Sequence, residues 1–261
     1  MVVGICGGVT YGTDSEILLG DVIISDGVIQ RDFGKQYPNE FVRKDALQDC
    51  LGRPSPEIRA LLNKLKGYKS GTRLRDHTSR YLLDLQQNPD INVGYPSVDA
   101  DKLFEPTYRH KHHNSPCTLC SKCEKKEGEV CQTALVLSCS ELKCNDNKLV
   151  PRSWLSKAIE TSAQKPMIHY GMIASGDTVM KSGEHRDIIA ASDNVIAFEM
   201  ERAGVWDIFP CVVIKGICDY ADSHKNKGWQ NYAAATAAAC MKAFLKEWTP
   251  IDTLWNSLPS E

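Results

Sequence analysis

Apolar residues follow two rhythms along this chain. Short unbroken apolar runs alternate with stretches in which apolar positions recur every three or four residues. The run at residues 1–6 predicts a short, wholly buried strand, and Gly7-Gly8 directly after it predicts a tight turn where backbone can approach a ligand. Residues 19–25 predict a second strand. Residues 56–66 carry the helical period, with Ile58, Leu61, Leu62 and Leu65 on one face, and residues 76–85 repeat it more weakly. From 86 to about 150 the pattern dissolves among Pro, Asn, Cys, His and charged residues, which predicts a loop-rich insertion. Order then returns, with strands expected at 167–175, 195–198 and 211–217. Helices are expected at 183–191, 199–209 and 229–248. The last of these opens on the alanine-rich run 233–239, whose small side chains permit close packing on a sheet.

Strands alternating with helices predict an α/β layered domain with a largely parallel sheet. We place that domain at residues 1–248, with the insertion at about 86–150 and a tail at 249–261; there is no internal repeat. A buried parallel-type strand needs neighbours on both sides, so residues 1–6 read as the middle of a fold.

Composition adds mainly exclusions. A net charge of -2, with 42% hydrophobic and 25% charged residues, gives no electrostatic case for nucleic acid or an anionic membrane surface. No apolar run reaches the length of a membrane span, the longest (208–218) being broken by Pro210 and Lys215. Residues 1–9 lack the basic leader of a signal peptide, so the expected location is cytoplasmic. The eleven cysteines are then expected to be mostly reduced, and any cluster of them to be a metal site sooner than a disulfide framework.

In sheets of this kind ligand groups gather at the C-terminal ends of strands. Four such ends carry conspicuous residues: Cys6-Gly7-Gly8, Ser175-Gly176-Asp177, Phe198-Glu199-Met200-Glu201 and Gly216-Ile217-Cys218-Asp219. Taken singly, each has a plain structural reading. Asp219 suits a turn or a cap, Glu201 a first-turn carboxylate, and Gly7-Gly8 a turn. Asp177 and Asp222 read as structural, His185 and Arg186 as solvent or salt-bridge groups, and Lys225 and Lys227 as part of a solvated loop.

Taken together, three segments resemble a known family. Ser175-Gly-Asp-Thr-Val-Met180, Glu199-Met200-Glu201 and Ile217-Cys-Asp-Tyr-Ala-Asp222 are similar, in order and spacing, to the signatures of the purine nucleoside phosphorylase and nucleosidase superfamily. The likeness is greatest to the methylthioadenosine/S-adenosylhomocysteine nucleosidase branch and to fungal-type domains fused to signalling NTPases. It covers residues 1 to about 35 and 166–248. The resemblance implies a three-layer sandwich around a central, mostly parallel mixed sheet, and cleavage of a purine N-glycosidic bond. It implies Asp219 as the acid that protonates the leaving base and Glu201 as the carboxylate that binds the ribose hydroxyls. Gly7, Gly8, Val179, Met180, Glu199, Met200 and Cys218 are implied in substrate binding, and none of the site residues is a metal ligand. An aspartate is ordinarily ionised at neutral pH, so the acid role calls for desolvation or a neighbouring carboxylate around Asp219. The expected partner is a small purine nucleoside, with phosphate only in the case of a phosphorylase, and a homo-oligomer is in keeping with the family.

Two departures qualify the resemblance. The family's segment before the first strand, which carries the hydrolases' water-activating glutamate, has no match here. The expectation is a shortened fold with an open sheet edge and an incomplete core, and hence marginal stability or compensation by a partner chain. Residues 2–5 also offer no cation or hydroxyl for phosphate, which favours hydrolysis over phosphorolysis. The alternative is a module that binds a purine nucleoside, or signals through it, without turnover.

The insertion carries Cys117-x-x-Cys120-x-x-Cys123 with Cys131 beyond, and His110, His112, His113, Cys139 and Cys144 nearby. That spacing suits a tetrahedral structural zinc; the other reading is a flexible insertion with reduced thiols. No other cofactor is expected.

Overall fold

The computed structural model describes residues 1–10, 16–46, 51, 54–114, 116–123, 131–153, 155, 165–201, 211–225 and 227–248. Five strands form the main sheet: β1 (Val2–Gly8), β2 (Val22–Gln30), β5 (Ile168–Ser175), β6 (Val195–Glu199) and β7 (Val213–Asp219). Two short strands, β3 (Gly34–Gln36) and β4 (Phe41–Arg43), pair separately as a hairpin that the hydrophobic pattern had not marked.

The main sheet is mixed and mostly parallel, as expected. It runs β1-β6-β5-β2-β7 and closes into a barrel, a closure that the expected sandwich did not include. β1 pairs with β7 in parallel and with β6 antiparallel, so the open edge expected at the first strand is absent. β2 pairs in parallel with β5 and antiparallel with β7. Gly7 and Gly8 belong to β1 instead of forming a turn, with a register shift between Cys6 and Gly7. Glu199, expected to open a helix, ends β6, and Met200 and Glu201 form a bend; residues 202–209 of that expected helix lie outside the described residues, as does the tail.

Apart from the one expected at 199–209, the helices form where the periodicity put them. α1 (Pro56–Lys66) starts on Ser55, whose hydroxyl accepts the Ile58 N–H, and Pro stands in its first turn where no N–H is needed. α2 (Tyr68–Gln86) follows across Gly67 and is longer than expected. α3 (Thr118–Lys122) and α4 (Gln132–Val136) are single turns inside the insertion. α5 (Gly183–Asp193) begins on a Ser182 cap and stops at Asn194, which takes the left-handed conformation that ends helices. α6 (Gln230–Glu247) is the alanine-rich helix.

α6 buries Ala233, Ala237, Cys240, Ala243 and Phe244 where it packs against the sheet and α2. It comes so close to β7 that a Cβ on Gly216 would stand 1.9 Å from the Ala233 carbonyl oxygen. The main core runs through Ile23, Ile24, Leu65, Leu74, Ile214 and Ile217. At the start of β2 and β5, Asp21 binds His169 at 2.9 Å and accepts the Met167 N–H at 2.8 Å, joining two strands that are distant in sequence. No helix among the described residues is long and apolar enough to cross a membrane.

Candidate active site

Strand register brings the conspicuous segments to one end of the barrel. Gly7 stands opposite Asp219 on one side and Phe198 on the other. Ser175 stands opposite Glu199. A Cβ on Gly7 would lie 2.8 Å from Asp219 Oδ1 and 2.9 Å from Ala221 Cβ, so Gly7 is there to admit the Asp219 carboxylate. At Gly8 the same Cβ would meet Ile217 at 2.9 Å, which is core packing and not a ligand approach.

The Asp219 side chain is largely buried, 13% exposed. Its Oδ1 accepts the Ala221 N–H at 2.8 Å and lies 3.1 Å from the Lys225 ammonium. The Cys218 thiol donates to Oδ2 at 3.4 Å, and burial together with that carboxylate pushes this thiol up. Lys225, expected in a solvated loop, is therefore the counter-ion of the proposed acid. Of the two surroundings expected for it, desolvation or a neighbouring carboxylate, the burial is present, and the charged group in direct contact is an ammonium.

The loop after Asp219 is held from below. Arg186 is fully buried and donates to the Tyr220 carbonyl at 2.8 Å and to Asp187 at 2.7 Å, so of its two expected roles the salt bridge holds and solvent exposure does not. Asp222 accepts the His224 N–H at 2.8 Å, the structural role expected of it. Burial raises Asp222 to about 6, helped by the Asp219 charge, although the His224 N–H and Arg186 pull the other way.

The second carboxylate group centres on Lys215. This lysine is almost fully buried in β7, 3.1 Å from Glu199 Oε2 and 2.6 Å from Glu201 Oε2. Gly4, opposite it in β1, leaves room for its side chain, whose ammonium lies 3.3 Å from where a Cβ would be. Burial lowers Lys215, but its two carboxylate partners outweigh this and raise it. Burial likewise raises Glu201, and the hydrogen bonds from Lys215 and within the pair bring it below its usual value. Glu199 has no exposed side-chain surface, whereas Glu201 is 61% exposed. Of the two, Glu201 is the one open to a ligand, and Glu199 holds the lysine and accepts the Glu201 N–H at 3.1 Å. Sequence reasoning passed over Lys215. The available signal was a lone lysine in a strand whose other residues, up to the terminal Asp219, are apolar or glycine.

Met200 and Val179 are exposed. Met180 is half-buried and packs against the small apolar cluster of Val9, Ala174, Val195, Phe198 and Ala221. A cavity of about 770 Å³ lies further out, between the start of α5 and the insertion, lined among others by Tyr108, Arg109, Lys181, Ser182, His185 and Ser223. Asp219, Glu199 and Glu201 do not line it, so the cavity and the convergent carboxylates are separate features.

No family model matches the chain. It is 32% identical over 252 residues to a nucleotide-binding leucine-rich repeat (NLR)-like protein of Hyaloscypha variabilis, a match covering 94% of this chain and 21% of that one. It is 30% identical over 92 residues to the aminodeoxyfutalosine nucleosidase of Helicobacter pylori, covering 32% of this chain and 40% of the enzyme. Among solved structures it is similar to the 5'-methylthioadenosine/S-adenosylhomocysteine nucleosidase of Helicobacter pylori in complex with butyl-thio-DADMe-Immucillin-A. That similarity has a TM-score of 0.46 and 15% identity, over 94% of this chain and 67% of the enzyme. The chain thus spans about a fifth and two fifths of the curated relatives it matches.

Proposed function

We propose that this chain, whose relatives are consistent with the purine nucleoside phosphorylase and nucleosidase superfamily, binds a purine nucleoside and cleaves its N-glycosidic bond. The observation that carries the reading is the strand register that sets Asp219, Gly7 and the Glu199–Met200–Glu201 turn side by side at one end of the barrel. In this reading the C1′–N9 bond breaks with its electron pair moving onto the purine. Asp219 donates a proton to the base, an oxygen nucleophile bonds to C1′, and the proton that a water nucleophile releases on bonding passes to solvent, from which Asp219 regains its own. Glu201 accepts hydrogen bonds from the ribose hydroxyls, and its charge favours the cationic sugar. Lys215 holds Glu201 in place, and Met200 and Met180 pack along the sugar and base. Water is the favoured nucleophile. The two lysines near the first strand are already engaged, Lys215 by Glu199 and Glu201 and Lys225 by Asp219. We place the protein in a homo-oligomer of the kind nucleosidases form, acting in nucleoside metabolism in the cytoplasm.

One observation favours a second reading, a module that binds the nucleoside without turnover: each proposed catalytic carboxylate is ion-paired to a lysine, Asp219 to Lys225 and Glu201 to Lys215. The two readings separate in an assay of adenine release from methylthioadenosine, adenosylhomocysteine, adenosine and adenine nucleotides, with and without phosphate. We expect release without phosphate, falling about 100-fold or more in Asp219→Asn. Release that needs phosphate replaces hydrolysis with phosphorolysis. Saturable nucleoside binding with no release establishes the binding module instead.

A further inference from the structure

We propose that His112, Cys117, Cys120 and Cys131 bind a structural zinc ion that fastens the insertion to the loop following Asp219. The Nδ1 of His112 and the three sulfurs all lie within 4.8 Å of one another. Cys117 Sγ is 3.9 Å from Cys131 Sγ, and His112 Nδ1 is 3.3 Å from Cys120 Sγ and 3.9 Å from Cys131 Sγ. In a tetrahedral site with zinc–sulfur bonds near 2.3 Å, ligand atoms stand roughly 3.8 Å apart; the two 3.9 Å separations match such an edge and the 3.3 Å one is somewhat shorter. They are far too long for a disulfide, whose sulfurs sit about 2.05 Å apart. Three thiolates and one imidazole in this geometry select zinc over the hard, oxygen-preferring cations.

Two further features support the site. The His112 backbone N–H points at Cys120 Sγ at 3.4 Å, an outer hydrogen bond of the kind that supports a ligating thiolate. The insertion's own apolar cluster consists of Cys120, Cys131, Ala134 and Leu142, with Cys117, Leu137 and Cys144 packed around it. Its core is therefore built largely of the ligands themselves. Such a core is too small to order a segment of this length, and metal binding would supply the missing free energy. The donor set differs from the one the Cys-x-x-Cys spacing suggested: His112 stands within the group and Cys123 does not. His110, Cys139 and Cys144 form a neighbouring group of three donors, one short of a structural tetrahedron.

The site bears on the barrel through the aromatic residues before it. Phe104 stacks on His224 at 4.1 Å between ring centres and Tyr108 at 5.5 Å, and the His110 N–H donates to Ser223 Oγ at 3.1 Å. These contacts hold the 221–225 segment, which carries the Lys225 partner of Asp219.

The test is the metal content of the 261-residue chain, purified under reducing conditions without chelator and measured by elemental mass spectrometry. Cobalt substitution would report the ligand type. We expect at least one zinc per chain, one equivalent lost in Cys120→Ser and in Cys131→Ser, and none lost in Cys123→Ser. The cobalt protein should show thiolate charge-transfer absorption. Should the serine variants fail to fold, His112→Cys supplies a fourth thiolate; it should keep the zinc and strengthen that absorption. A chain without zinc after refolding with the metal overturns the proposal, as does a Cys120→Ser protein that keeps its full zinc content. Neither result touches the nucleosidase reading, which the adenine assay judges separately.

Discussion

Asp222 shows how one buried carboxylate writes itself into the pH dependence of the fold. Burial lifts it from about 3.8 to about 6, so folding takes up a proton between those values. Its stability contribution is fully present below about 3.8 and is lost as pH rises through about 6. At about 1.4 kcal/mol per pH unit the loss is on the order of 3 kcal/mol. Asp222→Asn keeps an oxygen for the His224 N–H and carries no charge. Urea denaturation from pH 4 to pH 7 should show wild-type stability falling relative to the variant across that window; parallel curves would remove the assignment. At this scale sequence reasoning found the carboxylates but not their counter-ions. Asp219, Glu199 and Glu201 lie in motifs whose spacing survives in one dimension. Lys215 and Lys225 act through register and loop closure, and a lysine in a strand or a loop gives no sign of which acid it will meet.

Among the elements, legibility followed burial. Helix α1 was placed to the residue because its apolar face, its Ser cap and its first-turn proline all agree. The β3–β4 hairpin was invisible because it is short and mostly exposed, so no alternation was imposed on it. Glu199 was assigned to a helix because nothing local marks where β6 stops; its pairing with Ser175 on the neighbouring strand β5 does. The alanine-rich helix was correctly tied to close packing, and the structure supplies its other half, Gly216. Gly216→Ala would drive a methyl into the backbone of Ala233, which cannot rotate away. We expect a loss of about 3 kcal/mol or more, because helix and strand must separate. Thermal unfolding of Gly216→Ala beside Ala233→Gly checks this. The second change leaves the carbonyl in place and should cost only about 1 kcal/mol, the usual helix penalty of glycine. Equal losses would mean that the close approach is not what matters.

For the whole molecule, the question is how a long insertion is held to a five-stranded barrel. Arg152, at the insertion's end, is buried at the centre of the answer. It donates to Tyr220 Oη at 2.9 Å and to the Ile17 carbonyl at 2.7 Å, lies 3.4 Å from Asp101 Oδ1, and pairs with Glu16. Asp101 in turn accepts from Tyr220 Oη at 2.5 Å and from the Leu19 N–H at 2.9 Å. One guanidinium thus joins the start of the insertion, its end, the segment before β2 and the residue after Asp219. A network this dry is costly to break from one side. Arg152→Met leaves Asp101 without that charge, for an expected loss of about 3–5 kcal/mol. The double variant Arg152→Met/Asp101→Asn should lose less than the two single losses added together, since the uncompensated charge goes too. Tyr220 adjoins Asp219, so nucleoside binding should weaken in Arg152→Met even where the protein remains folded. Denaturation curves for the single and double variants, with nucleoside titration of the folded fraction, measure both effects. A cost below about 1 kcal/mol would place the attachment of the insertion in its aromatic contacts and its metal instead.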